Sequence, residues 1–239
     1  MDAVLRVREL TKSFKGHQVL RGVSMEIPKG SIYGLVGRNG AGKTTLIRLI
    51  CGLQKPDRGE YDLFGEKNES QAIVKVRRRT GVVVEAPSLY QELSAEDNLK
   101  VQYKLLGRKD LETIPEILRQ VDLEGTGKKK VKDFSLGMKQ RLGIAIALAG
   151  EPEFLILDEP TNGLDPQGII EVRELLRALN QERGITLLIS SHLLSELSRL
   201  ATHYGFLEDG KILRQVTADE VGEDLESYYM GIVGGGKHE

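Results

Sequence analysis

From Val4 to Leu10 apolar and polar residues alternate, and Val23 to Ile27 alternates again; both stretches predict half-buried strands. Pro28-Lys29-Gly30 predicts a turn, after which the continuous apolar run Ile32 to Val36 predicts a short buried strand entering a glycine-rich loop. A helix is expected over Thr44 to Cys51, stopped by Gly52 at the position of a C-terminal glycine cap. Pro56 to Gly59 reads as a turn and Gly81 to Val84 as a buried strand. The pattern then becomes helical from Ser94 to about Val121, with Gly107 and Pro115 as punctuation and Ser94-Ala95-Glu96-Asp97 as a capped start. Gly137 to Ala149 predicts a further helix with Met138, Leu142, Ala145, Ile146 and Ala149 on one face. Strands over Phe154 to Leu157 and Thr186 to Ile189 alternate with helices over Gln167 to Asn180 and Leu193 to Leu200.

Strands alternating with helices imply a largely parallel sheet covered on both faces. One unit over residues 1–239 is expected, with a core at about 1–85 and 150–215, a smaller helical lobe at about 86–149 and a tail from about 216. The glycines at 234 to 236 read as a frayed end, and Lys128 to Lys130 with Lys132 as a solvated loop.

Composition narrows the function classes. A formal net charge of −1 over 239 residues gives no electrostatic case for a nucleic-acid partner. The single cysteine, Cys51, excludes an intrachain disulfide and suits a reducing compartment; it reads as a small apolar residue. Arg6, Arg8 and Glu9 interrupt any leader-like apolar run, and no stretch approaches the roughly 20 apolar residues of a membrane span. Any membrane part is therefore expected on another polypeptide.

The glycine-rich loop carries the first chemistry. Gly37, Arg38, Asn39, Gly40, Ala41, Gly42, Lys43, Thr44 and Thr45 fit G-x-x-x-x-G-K-[ST], between a predicted strand and a predicted helix, as that motif requires. Its backbone N–H groups close on phosphate oxygens at a helix N-terminus, Lys43 reaches the β- and γ-phosphates, and the Thr44 hydroxyl ligates Mg²⁺. Downstream, the strand Phe154 to Leu157 delivers Asp158 and Glu159 at its C-terminal end, and that strand is expected beside the P-loop strand. Three further segments follow in order: Phe134-Ser135-Leu136-Gly137-Met138, Asn162-Gly163-Leu164-Asp165 and Ser191-His192.

Taken as a set, from Phe14 to His192, these motifs resemble the ATP-binding cassette (ABC) family. The resemblance implies an α/β fold: a P-loop NTPase core with a mostly parallel sheet flanked by helices, an N-terminal antiparallel β part and an inserted helical subdomain. It implies an ATPase that uses ATP and Mg²⁺, dimerises around two nucleotides and drives a separate integral membrane permease from the inner face of the cell membrane. Asp158 would then support Mg²⁺, Glu159 would act as general base, and His192 would hold the γ-phosphate. Ser135 and Gly137 would touch ATP held by a second cassette, near Asp165 in the segment that crosses the interface. Phe14 would stack on adenine, with a core phenylalanine as the competing reading. Ser135 also reads as a plain helix cap. The other histidines, His17, His203 and His238, read as structural or solvent-exposed.

This chain departs from the family at three positions. Leu136 and Met138 replace a glycine and a glutamine, and Glu85 stands where the family has glutamine near Mg²⁺ and the permease contact. Glutamate there, with Ser-Leu-Gly-Met, resembles the exporters of bacitracin-like and lantibiotic antimicrobial peptides. A solvated loop acid is the competing reading of Glu85. Two other functions remain open at this point: a soluble cassette ATPase serving a protein assembly such as iron–sulfur cluster assembly, and an ATP-gated module with little turnover.

Overall fold

A computed structural model describes residues 2–85 and 87–235. The first half contains β1 (Ala3–Phe14), β2 (His17–Pro28), β3 (Ile32–Val36), α1 (Lys43–Ile50), β4 (Arg58–Leu63), β5 (Glu66–Lys67), α2 (Ile73–Arg77) and β6 (Thr80–Val83). Then come α3 (Ala95–Leu106), α4 (Ile114–Gln120), α5 (Leu136–Leu148), β7 (Phe154–Asp158), α6 (Pro166–Arg183), β8 (Thr186–Ser191) and α7 (Leu194–Leu197). β9 (His203–Glu208), β10 (Lys211–Thr217), α8 (Ala218–Val221) and α9 (Leu225–Gly235) complete the described chain.

Two sheets form. β2-β1-β4-β5 is antiparallel, and the second runs β10-β9-β3-β8-β7-β6, parallel throughout except at β10. Side-chain alternation along each central strand divides the core in two. Phe154, Ile156 and Leu188 face α1 and the antiparallel sheet, while Leu155, Leu157, Leu187 and Ile189 face the helical side. The P-loop helix is thus sandwiched between the sheets, where Leu46, Ile47 and Leu49 have no exposure.

The lateral order of strands corrects one expectation. β7 does not lie beside β3; β8 is inserted between them, pairing Gly34 with Ile189 on one side and Leu157 on the other. A parallel strand can enter beside either neighbour through a crossover, so chain order does not set lateral order. The helical stretch from Ser94 is broken at Gly107, which adopts φ 74°, and Pro115 opens α4 instead of interrupting it. The expected helix over 193–200 shortens to α7, and α5 buries Gln140 and Arg141 as well as its apolar residues. Arg141 earns its place by pairing with Asp122 at 2.6 Å. In the basic loop, Lys130 and Lys132 grip Glu92 at 3.0 and 3.1 Å.

The C-terminal part also differs from a tail starting near 216. That position falls inside β10, Thr217 and Glu220 form a capping box, and α9 packs Tyr228 and Tyr229 against Phe206 with ring centroids 5.8 and 5.9 Å apart. Gly234 is helical, not frayed; Gly236 and His238 lie outside the described residues.

Candidate active site

The parallel register brings three loops to one edge. Val36 pairs with Ser191, and Asp158 with Ser190, so the residues that follow β3, β7 and β8 emerge together at the C-terminal ends of their strands. Immediately after β3 the chain passes so close to β9 that a Cβ on Gly37 would lie 2.3 Å from the Leu207 carbonyl oxygen. Only glycine fits there. At Gly40 (φ 85°) an added Cβ would meet nothing within 4 Å, which leaves the loop open on the side where a phosphate would sit.

A cavity of about 450 Å³ covers that opening, lined by His17, Val19, Arg38, Asn39, Gly40, Gly42, Lys43, Thr44, Thr45 and Glu159. Ala41 is buried beneath it and closes a turn by donating its N–H to the Arg38 carbonyl at 3.1 Å. Lys43 is also buried. Its Nζ donates to the Gly37 carbonyl at 2.6 Å and lies 3.2 Å from Glu159 Oε1, so the cation rests on its own loop and on the Glu159 carboxylate.

Although β8 separates β3 from β7, α1 carries Thr44 across to Asp158. The Thr44 hydroxyl donates to Asp158 Oδ2 at 2.7 Å, and the Ser190 hydroxyl donates to Asp158 Oδ1 at 2.5 Å. Among the described residues no group of three or more His, Cys, Asp or Glu is placed to hold a metal. A hydroxyl and one buried carboxylate are a partial donor set of the kind that Mg²⁺ completes with water and nucleotide phosphates. The fit is therefore to Mg²⁺ arriving with the nucleotide, held by Thr44 and Asp158. The ion would neutralise phosphate charge as the terminal phosphoryl group is transferred.

Glu159 sits at φ 51°, a left-handed conformation costly for a residue with a side chain. Its N–H donates to the Ser190 carbonyl at 3.1 Å and to the Ser190 hydroxyl at 2.9 Å, which pins that geometry. The carboxylate is held between Lys43 and His192, whose Nδ1 lies 2.8 Å from Glu159 Oε2. With Nδ1–H on Glu159, the opposite ring nitrogen of His192 remains for a phosphate oxygen when the ring is protonated. An acceptor carboxylate next to the phosphate loop, oriented from both sides, is what a general base for water attack needs.

Other sequence-derived residues lie elsewhere. Phe14, at the end of β1, is 40% exposed, so it is not a core residue; Lys12 Nζ lies 5.6 Å from its ring. It pairs with His17 across the β1–β2 hairpin, and His17 and Val19 line the cavity. Sequence reasoning placed His17 outside the site; its proximity in sequence to Phe14 was the available signal. Ser135 caps α5, accepting from the Met138 N–H at 3.2 Å, and Gly137 follows it in the first turn. Asp165 caps α6 by accepting from the Gly168 N–H at 2.9 Å. None of these three lines the cavity of this chain. Glu85, at φ 59°, pairs with Arg48 near the end of α1, and its carboxylate makes no hydrogen bond to Thr44 or Asp158. Ser190 was not foreseen, because a serine ending an apolar run has no distinctive pattern.

A family model described as ABC transporter matches residues 20–162. The bacitracin transport ATP-binding protein BcrA of Bacillus licheniformis is 45% identical over 231 residues, covering 95% of this chain and 74% of that protein. The chain belongs to the ABC transporter family. The lantibiotic transport ATP-binding protein SrtF of Streptococcus pyogenes is 44% identical, with 95% of this chain and 96% of that protein covered. Among solved structures, cbiO1 from Clostridium perfringens, part of the ABC transporter complex cbiONQ, superposes with a TM-score of 0.84 at 29% identity, covering 97% and 96% of the two chains. A dimeric ATP-binding cassette in a post-hydrolysis state with ADP and Pi superposes at 0.79 and 27% identity, covering 90% and 98%. This ABC cassette is an ATPase that binds ATP and uses Mg²⁺. The expectation of an ABC ATP-binding subunit, close to the bacitracin and lantibiotic type, is borne out.

Proposed function

We propose that the chain is the ATP-hydrolysing subunit of an exporter of antimicrobial peptides or drugs. It works as an ATP-clamped pair of cassettes on an integral membrane permease, peripheral to the inner face of the cell membrane. One observation carries the pairing: Ser135, Gly137 and Asp165 stand at helix N-termini apart from the cavity formed by this chain's own P-loop. A second copy turned head to tail would bring those N-termini to the opposite nucleotide, where N–H groups and the helix dipole suit an anion. In this reading Glu159 polarises the attacking water, His192 and Lys43 hold the terminal phosphate, Phe14 stacks on adenine, and Glu85 reports nucleotide state to the permease. The peptide class is supported by relatives named for bacitracin and lantibiotic transport. Among the described residues no helix is long and apolar enough to cross a membrane, in keeping with a separate permease. The same relatives favour transport over service to a soluble assembly.

Glu159→Gln tests the reading. The amide keeps the shape and a contact with Lys43 but loses basicity, so turnover should fall by roughly 10² or more while ATP still binds. Sedimentation of this variant should show a dimer with ATP and a monomer without it. A monomer under both conditions, or turnover at the unmutated rate, would overturn the assignment. Copurification from membranes with a polypeptide of several apolar spans tests the transport role.

A further inference from the structure

The Glu85 carboxylate has a partner that the motif reading did not supply. Arg48 occupies the last turn of α1, and its guanidinium pairs with Glu85 Oε1. Thr44 and Arg48 are four residues apart on that helix, so they share a face, with Arg48 about 6 Å further along the axis. Thr44 is the residue that meets Asp158. The helical face that presents the metal-binding hydroxyl therefore also presents, one turn later, the cation that grips Glu85. Among the described residues Arg48 pairs with no other carboxylate, and Glu85 with no other cation. The pair is half exposed, with side-chain exposures of 36% and 62%. It is thus a weak contact by stability standards and free to exchange partners.

We infer that Arg48 is a positioning residue for the Mg²⁺–nucleotide site: it neutralises Glu85 and keeps that carboxylate a helical turn below the Thr44–Asp158 pair. A carboxylate at this strand end adds negative charge beside an anionic substrate, which opposes nucleotide binding unless a cation balances it. Arg48 provides the balance from within the P-loop helix. Freed of Arg48, Glu85 becomes a second acidic group beside Asp158, drawing the divalent cation and repelling the metal-free nucleotide. The inference rests on Thr44 and Asp158 being the metal site.

The two halves of the pair carry opposite charges, so their removal has opposite consequences. Purified full-length protein is titrated with a fluorescent ATP analogue, first in EDTA and then with increasing Mg²⁺, with thermal unfolding to verify that each variant is folded. Arg48→Met should lower the Mg²⁺ concentration for half-maximal binding and weaken analogue binding in EDTA, each by about three- to tenfold. Glu85→Gln should move both quantities the other way. Arg48→Met combined with Glu85→Gln should return them near the unmutated values, and Arg48→Lys should leave them nearly unchanged. If Arg48→Met does not stay folded, Arg48→Gln carries the same comparison. A merely structural pair would give single variants that shift in the same direction, and that result, or no shift at all, overturns the proposal. Thr44→Ala separates the two levels of argument: if it leaves the Mg²⁺ dependence untouched, the metal-site assignment itself fails.

Discussion

Lys43, Thr44 and Asp158 were recognisable one by one because each chemistry demands a particular residue at a particular spacing. The glycine loop, the cation after it and the carboxylate at the end of an apolar strand leave few alternatives. Ser190 and Arg48 carried no such mark. A serine at a strand end is common, and an arginine in a last helical turn already has a sufficient role in complementing the dipole. Their functions come from neighbours far away in sequence, Asp158 and Glu85, which only the folded chain brings near. Cys51 shows the opposite case, where the plain reading holds. Burial pushes its thiol up to about 12, despite the nearby Arg77, so it stays protonated at neutral pH. Iodoacetamide at pH 8 should therefore label the native protein far more slowly than the chain unfolded in guanidinium. Equal labelling rates in a mass-spectrometric time course would show that the thiol is accessible and ionised.

Elements with a strong period were legible, and those that depend on a distant surface were not. β3, β7 and α6 follow from apolar runs and caps that lie within the segment itself. β4 was missed because only Tyr61 and Leu63 mark its buried face after the turn. α9 was missed because its glycines dominate a reading of composition, although Leu225, Tyr228, Tyr229 and Ile232 recur at helical spacing. What holds α9 is a contact with the core: the Tyr229 hydroxyl donates to Glu208 Oε2 at 2.9 Å, and Glu208 also faces Arg38 of the P-loop at 3.8 Å. Tyr229→Phe keeps the ring on Phe206 and deletes one hydrogen bond to a carboxylate. The expected loss is about 1 to 2 kcal/mol, which thermal unfolding should register as a melting point lower by about 2–8 °C. An unchanged melting point would mean that ring packing alone docks the helix.

For the whole molecule, the sequence prescribed a covered parallel sheet and an inserted helical lobe, but not the side-by-side order of the strands. The insertion of β8 between β3 and β7 depends on how each crossover packs, which residue pattern alone does not encode. The relation between two copies follows from the same geometry. Lys43 and Ser135 would serve different nucleotides within one pair, so defects in them can be gathered into a single site. Mixing Lys43→Ala chains with Ser135→Arg chains should restore part of the ATPase activity that each lacks alone, since half of the sites in a mixed pair are then unmutated. An assay that finds no recovery at any ratio, with both variants shown to associate, would argue against shared sites.

The helical lobe leaves the core from β6, and β6 is the outermost strand of the six-stranded sheet, four residues long and, among the described strands, bonded only to β7. Just beyond it Pro87 packs so tightly on α5 that a Cβ on Gly143 would come within 2.5 Å of its ring. The stiff connection is therefore on the lobe side and the compliant one on the sheet side. A displacement of the lobe would act first on this border strand, which has one neighbour in the sheet, and so on Glu85, two residues beyond its end.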